Sequence, residues 1–128
     1  MGFDKERVIL CLQVPLFHAF GYILGPMMTL QLGGKCVIPS EVFHAPSSLK
    51  SIQNERCTLV YGVPTMYFDM LKHLSDSNFD LKSCKKGIIG ASPVPEYLVQ
   101  ELERRLGIKL MVCILLRVSF NCLQHSNK

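Results

Sequence analysis

Apolar residues in this chain fall in short unbroken runs, each followed by a segment in which they recur every third or fourth position. Unbroken runs of four to eight residues rich in Val and Ile suit strands buried on both faces, whereas the wider spacing suits one face of a helix. VILCLQV, KCVIP, TLVYGV, GIIGAS and IKLMV therefore predict five strands. Between the first two, LFHAFGYILGPMMTLQLGG reads as a mostly helical, buried segment closed by paired glycines. LKSIQNER predicts a helix capped by Ser47 or Ser48, with Leu49, Ile52 and the Arg56 stem on one face. Pro64 is placed to open a helix over TMYFDMLKHL, in which Met66, Tyr67, Met70, Leu71 and Leu74 form an inward stripe. SDSNFDLKSCKK is a polar loop. PVPEYLVQELERRLG follows as the strongest helix, with Ser92 as its cap, Leu98, Leu102 and Leu106 inward, Glu101 paired with Arg105, and Gly107 at the left-handed C-terminal position. Strands that alternate with helical crossovers make an α/β fold with a mainly parallel sheet.

Residues 8–34 contain no Asp, Glu, Lys or Arg, and an uncharged run of that length has to be tested as a membrane span. Pro15 and Pro26 each remove a backbone hydrogen bond, four glycines weaken a continuous helix, and Gln13, His18 and Gln31 are polar. A strand followed by a helix accounts for the run better, so no membrane span is expected. MGFDKER mixes acids with bases, unlike the start of a signal peptide.

At 128 residues, 48% hydrophobic and 19% charged, the chain has the composition of one globular domain. The net charge of +4 is spread along the sequence rather than gathered into a stripe with interleaved aromatics, which argues against nucleic acid as a partner. Six cysteines lie apart, without a C-x-x-C pair or a Cys/His cluster at zinc-ligand spacing. No metal site is expected from them. Several sit inside apolar runs, where a free thiol behaves as a small buried hydrophobe.

In a parallel α/β sheet, ligands gather at the carboxyl ends of the strands, where loops turn into helices with free N–H groups. Three turns qualify: VPLFHAFG after the first strand, YGVPTM after the third and GASPVP after the fourth. Each joins Gly or Pro to small residues, so a ligand can approach the backbone closely. His18 is the one ionisable side chain in the first of them.

VPLFHAFGYILGPMMTLQLGGKCVIPS, ERCTLVYGVPTMYFDML and GIIGASPVPEYLVQELERRLGIKLMV, in this order and spacing, resemble the middle of the large N-terminal domain of adenylate-forming enzymes, most of all medium-chain acyl-CoA synthetases. The resemblance runs over residues 7–112, which predicts a partial AMP-binding domain at 1–112 and a divergent tail at 113–128. It implies a chemistry in which a fatty acid and ATP, with Mg²⁺, give an acyl-adenylate and pyrophosphate, after which the acyl group passes to coenzyme A. By the same resemblance His18 takes the position beside the acyl carboxylate and the pantetheine tunnel. Gly90, Ala91, Ser92 and Pro93 match a wall of the adenylate and acyl pocket, and Tyr61, Gly62 and Val63 match a strand end nearby.

The chain departs from the family pattern on both sides of this core. The Ser/Thr/Gly-rich, lysine-ending loop that grips the ATP phosphates has no counterpart before Val14. After IKLMV the sequence reads CILLRVSFNCLQHSNK, where the family carries a Tyr-Gly-x-Thr-Glu motif for the phosphates and Mg²⁺. The expectation is a truncated piece of an acyl-CoA synthetase that retains part of the acyl and adenylate pocket. It has no catalytic residue of its own, binds neither ATP, Mg²⁺ nor CoA productively, and is inactive alone. The rival expectation is a non-catalytic acyl-binding or interaction protein that pairs with a full-length enzyme; a membrane-bound or secreted peptide comes third. Family members of this kind are commonly mitochondrial, although no basic, Ser-rich leader stands at the start of this sequence.

Overall fold

A computed structural model of the chain describes residues 7–90, 93–114 and 121–124. All five expected strands form: β1 (Ile9–Leu12), β2 (Lys35–Val37), β3 (Leu59–Gly62), β4 (Lys86–Gly90) and β5 (Lys109–Ile114). A further strand, β6 (Asn121–Gln124), lies in the segment expected to diverge. The sheet order is β2-β1-β3-β4-β5-β6, parallel throughout except for the antiparallel β5–β6 pair. This is the mainly parallel α/β sheet that the sequence predicts.

One face of the sheet is covered by α3 (Ala45–Glu55), α4 (Pro64–Asp76) and α5 (Glu96–Leu106). Ala45, Leu49 and Ile52 of α3, Tyr67, Met70 and Leu71 of α4, and Leu98, Val99 and Leu102 of α5 pack with Cys11, Val60, Ile89 and Leu110 of the strands. The predicted stripe on α4 is this contact, with Leu74 half-buried at its margin, while the half-buried Met66 packs instead against the cluster of Leu10, Leu12 and Tyr61. Pro64 occupies the first turn of α4, where its missing N–H costs nothing. Gly107 ends α5 at φ 67° and donates its N–H to the Glu103 carbonyl at 3.1 Å.

Four local expectations are corrected. Helix α5 starts at Glu96 with Pro95 as its cap, not Ser92. Helix α3 starts at Ala45, ahead of both serines, with His44 extended as its cap and Pro46 in its first turn. Ser47 instead lies 2.7 Å from His44 Nδ1, and the buried Ser48 hydroxyl has no partner among the described residues. Arg56 does not lie along that helix face; it closes α3 in the left-handed region at φ 51°. Glu101 is held by Arg104, at 2.8 and 2.9 Å, while Arg105 reaches across to Ser75 Oγ on α4 at 2.8 Å.

The opposite face is covered by one irregular helical stretch: α1 (Ala19–Tyr22), a π-helical turn over Ile23–Met27, and α2 (Met28–Gln31). Pro26 sits inside the π turn, where the wider backbone spacing tolerates its missing donor. The stretch is not buried as expected. Gly21, Gly25 and Thr29, four residues apart, face inward, while Tyr22, Ile23, Met27 and Leu30 are exposed. Small residues let the helix backbone lie close to the sheet: a Cβ on Gly25 would stand 2.8 Å from Leu12 Cδ2. Below them Leu10, Leu12, Leu59, Tyr61 and Ile88 form the second core.

Cys11, Cys36, Cys57 and Cys84 are free thiols. Burial pushes Cys84 up to about 12, from 9.0, and the hydrogen-bonded neighbour Cys57 together with burial raises Cys11. The folded chain thus keeps protons that the unfolded chain releases. The contribution of Cys84 to stability is complete below pH 9 and is lost as pH rises toward 12. Urea unfolding under reducing conditions should show a loss of about 1 kcal/mol from this thiol between pH 8 and pH 10. Cys84→Ala should remove that part of the slope.

Candidate functional site

Parallel pairing in the order β1-β3-β4 brings the three turns to one edge of the sheet. Leu12 is the register partner of Tyr61, and Gly62 that of Ile89, so the strands end within about a residue of each other. The first turn is shaped by backbone hydrogen bonds. His18 donates its N–H to the Pro15 carbonyl at 3.3 Å, and its own carbonyl accepts from Gly21 at 2.9 Å and Tyr22 at 3.0 Å, which starts α1. A Cβ on Gly21 would lie 2.0 Å from the Pro15 oxygen, so only glycine lets the helix fold back over this turn. His18 and Phe17 are exposed at the sheet edge, Phe17 to 93%.

At the end of β3, Tyr61 is fully buried, and its hydroxyl donates to Met28 Sδ at 3.2 Å beneath α2. Gly62 is buried against two side chains: a Cβ there would meet Gln13 Nε2 at 2.8 Å and Tyr67 Cε2 at 3.0 Å. Val63 is half-buried and caps α4, its carbonyl accepting from Met66 at 3.0 Å and Tyr67 at 3.2 Å. Gly90 is the buried last residue of β4, and Pro93 is exposed ahead of α5. Ala91 and Ser92 lie outside the described residues. Of the eight residues singled out in the sequence, the structure therefore places His18, Tyr61, Gly62, Val63 and Gly90 at or next to the carboxyl edge of three neighbouring strands.

One feature at this edge was not singled out. A cavity of about 590 Å³ is bounded by residues 12–17 after β1, residues 38–43 after β2, and Met66. Gln13 lines it at only 7% exposure, donating from Nε2 to Met70 Sδ at 3.3 Å, and its buried Oε1 has no partner among the described residues. A lone amide at the end of an all-apolar strand was the available signal.

No cluster of three or more His, Cys, Asp and Glu able to hold a metal ion occurs among the described residues. The described strand-end residues offer one exposed imidazole-bearing residue, His18, beside apolar surface.

The profile of the AMP-binding enzyme family matches residues 1–114. The chain belongs to that family. The chain is 39% identical over 108 residues to the mitochondrial medium-chain acyl-CoA ligase ACSF2 of Danio rerio, covering 84% of this chain and 18% of that protein. It is 40% identical over 109 residues to the acyl-CoA ligase sidI of Beauveria bassiana, covering 82% of this chain and 19% of the relative. It thus spans about a fifth of the length of these curated relatives. Among solved structures, the chain superposes on ATP-bound MatB from Rhodopseudomonas palustris with a TM-score of 0.81 at 18% identity, covering 95% of this chain and 24% of the other. It superposes on the anthranilate CoA ligase AuaEII in complex with anthranoyl-AMP with a TM-score of 0.78 at 23% identity, covering 89% of this chain and 22% of that one. These structures share its fold, that of the N-terminal domain of adenylate-forming enzymes. No helix among the described residues is long and apolar enough to cross a membrane.

Proposed function

We propose that this AMP-binding domain carries the acyl and adenylate-facing part of a medium-chain acyl-CoA ligase and is catalytically silent as an isolated chain. The observation that carries this reading is the convergence of the His18 turn, the Gly62–Val63 strand end and Gly90 on one edge of three adjacent strands. Gly62 and Gly90 are buried glycines that leave the β3 and β4 ends without side-chain bulk, Tyr61 sets the floor of the β3 end from within the core, and the exposed His18 stands at this edge, where its ring would meet a carboxylate or acyl-phosphate oxygen. The family resemblance assigns Ala91, Ser92 and Pro93 to the same pocket. Residues 1–112 form this part and 113–128 the divergent tail. ATP, Mg²⁺ and CoA supply activation and transfer in the full-length family. Among the described residues, no group of three or more His, Cys, Asp and Glu is placed to hold the metal. Mitochondrial residence follows the ACSF2 relatives.

Purified chain given octanoate, ATP, Mg²⁺ and CoA is expected to release no pyrophosphate, whereas octanoyl-sulfamoyl-adenosine, a stable acyl-adenylate analogue, binds saturably. His18→Ala should weaken that binding about tenfold, the loss of one charge-assisted hydrogen bond. Turnover like that of a complete ligase would overturn the silent state; an analogue affinity indifferent to His18→Ala would overturn the pocket.

A second reading, a non-catalytic partner of a full-length ligase, is favoured by one observation. Tyr22, Ile23, Met27 and Leu30 are exposed apolar side chains on α1, the π turn and α2. Co-sedimentation with a full-length relative, abolished by Ile23→Glu with Leu30→Glu, distinguishes it.

A further inference from the structure

Two thiols that the ligase reading leaves unused meet beneath α3. Cys11 of β1 and Cys57, the residue after the α3 cap, are both fully buried and belong to the same core cluster. Their sulfurs lie against carbonyls one helical turn apart on α3, Cys11 Sγ 4.0 Å from the Ser48 oxygen and Cys57 Sγ 3.7 Å from the Ser51 oxygen. Hydrogen bonds pin the two segments side by side: Thr58 donates its N–H to the Ile9 carbonyl at 2.8 Å, and Ile9 donates its N–H to Thr58 Oγ1 at 3.0 Å. The thiols are also hydrogen-bonded to each other. That bond, helped by Lys35, lowers Cys57 below the usual thiol value, and the same bond with burial raises Cys11, so Cys57 is the better nucleophile and Cys11 keeps its proton. Cys36 and Cys84 are set apart: Cys36 is the register partner of Leu10 and packs with the opposite core, and Cys84 Sγ turns to the Lys86 carbonyl at 3.7 Å. Arg56, immediately before Cys57, is the one non-glycine residue with positive φ among the described residues, at 51°, and residues 53–56 are exposed. Backbone strain beside an exposed helix end makes this cap a low-cost place for local opening, which gives a small reagent access to Cys57.

We propose that Cys11 and Cys57 are a reactive thiol pair that forms a reversible disulfide when the chain meets a hydroperoxide. In the first step the Cys57 sulfur, its proton given up to solvent, attacks a peroxide oxygen. The O–O bond breaks, Cys57 becomes a sulfenic acid, and the leaving oxygen takes a proton as water or an alcohol. In the second step the Cys11 sulfur attacks the sulfenic sulfur, the S–O bond breaks, and the Cys11 proton leaves with the hydroxyl as water. Two thiols have then lost two electrons to one peroxide, and a dithiol reductant reverses the change. The bond ties β1 to the start of β3 and closes residues 12–56 into a loop. It acts on the core rather than on a ligand, and it stands independently of the ligase reading.

The test treats the reduced parent chain with hydrogen peroxide, blocks the remaining thiols with N-ethylmaleimide, and maps cross-linked peptides by mass spectrometry without reduction. The Cys11–Cys57 cross-link should form about tenfold faster than any pair containing Cys36 or Cys84, and dithiothreitol should remove it. Cys11→Ser should leave Cys57 as a sulfenic acid that dimedone traps, whereas Cys57→Ser should leave Cys11 unmodified. In urea the preference for this pair should vanish, because the fold alone brings the two sulfurs together. The oxidised chain should unfold at a higher urea concentration than the reduced one, since the bond restricts the unfolded chain. No such cross-link in the folded chain, a faster pair at Cys36 or Cys84, a preference that survives in urea, or a lower unfolding midpoint after oxidation would each overturn the proposal. Should a serine variant fail to fold, the peptide map of the parent chain decides.

Discussion

Tyr67→Ala is expected to abolish the cooperative unfolding transition of this chain. The ring is fully buried between the sheet and α4, and its hydroxyl lies 2.9 Å from the Ile88 carbonyl and 3.2 Å from the Val60 carbonyl, which it serves as donor. Glycines on two neighbouring strands make room for it. A Cβ on Gly62 would stand 3.0 Å from Tyr67 Cε2, and one on Gly87 3.3 Å from its hydroxyl oxygen. Truncating a buried aromatic to Ala costs about 3–5 kcal/mol, and the two strand carbonyls lose a shared donor as well. Small domains hold only about 5–15 kcal/mol in total, so at the lower end of that range the whole of the stability goes. Tyr67→Phe keeps the ring and forfeits only the hydroxyl, for about 1 kcal/mol. Urea melts followed by circular dichroism check both; a Tyr67→Ala transition within about 1 kcal/mol of the parent would remove this residue from the centre of the core.

The role of Tyr67 was legible in the sequence, and the reason is geometric. On α4 the apolar residues alternate with Thr65, Asp69 and Lys72, so the three- and four-residue spacing defines one face. The strands were legible because unbroken runs such as VILCLQV and TLVYGV have no polar face to offer solvent. The first helical stretch defeated the same logic. Apolar nearly all round, it carried no stripe, and its orientation was decided by the small residues Gly21, Gly25 and Thr29, which allow the closest backbone approach. Glycines read as weak points of a helix turned out to be its contact surface.

Caps and ion pairs were harder still, because residue type alone does not choose among near-equal alternatives. Pro46 draws the start of α3 ahead of the two serines, and Arg105 is diverted from Glu101 by Ser75 on α4, a partner thirty positions away. At the site, the turns and their shared edge followed from strand alternation. Gln13 did not, since its significance lies in a missing partner, and only packing reveals that. Strand β6 is likewise a tertiary outcome: its pairing with β5 puts Val112 beside Leu123, a match that no local pattern encodes.

Gly21→Ala should be the most damaging single-methyl change at the site. Its Cβ would be placed 2.0 Å from the Pro15 carbonyl oxygen and 2.7 Å from the Pro15 carbonyl carbon, both backbone atoms of the turn that carries His18. No side chain can swing away to relieve this contact, so the turn, the start of α1, or both must move. Overpacking of this kind costs about 1–3 kcal/mol, and the upper end applies where backbone must yield. The bonds from Gly21 and Tyr22 to the His18 carbonyl are the ones that give way, which displaces the imidazole from the strand edge. The thermal midpoint should fall by several degrees, and on the ligase reading acyl-adenylate analogue affinity should fall at least as far as in His18→Ala. Gly33→Ala separates space from backbone strain. Gly33 has φ +64° but nothing within 4 Å of an added Cβ, so it should cost only about 1 kcal/mol and leave analogue binding unchanged. A Gly21→Ala chain with the parent's midpoint would mean that the helix does not rest on the Pro15 turn, and the placement of His18 would lose its physical basis.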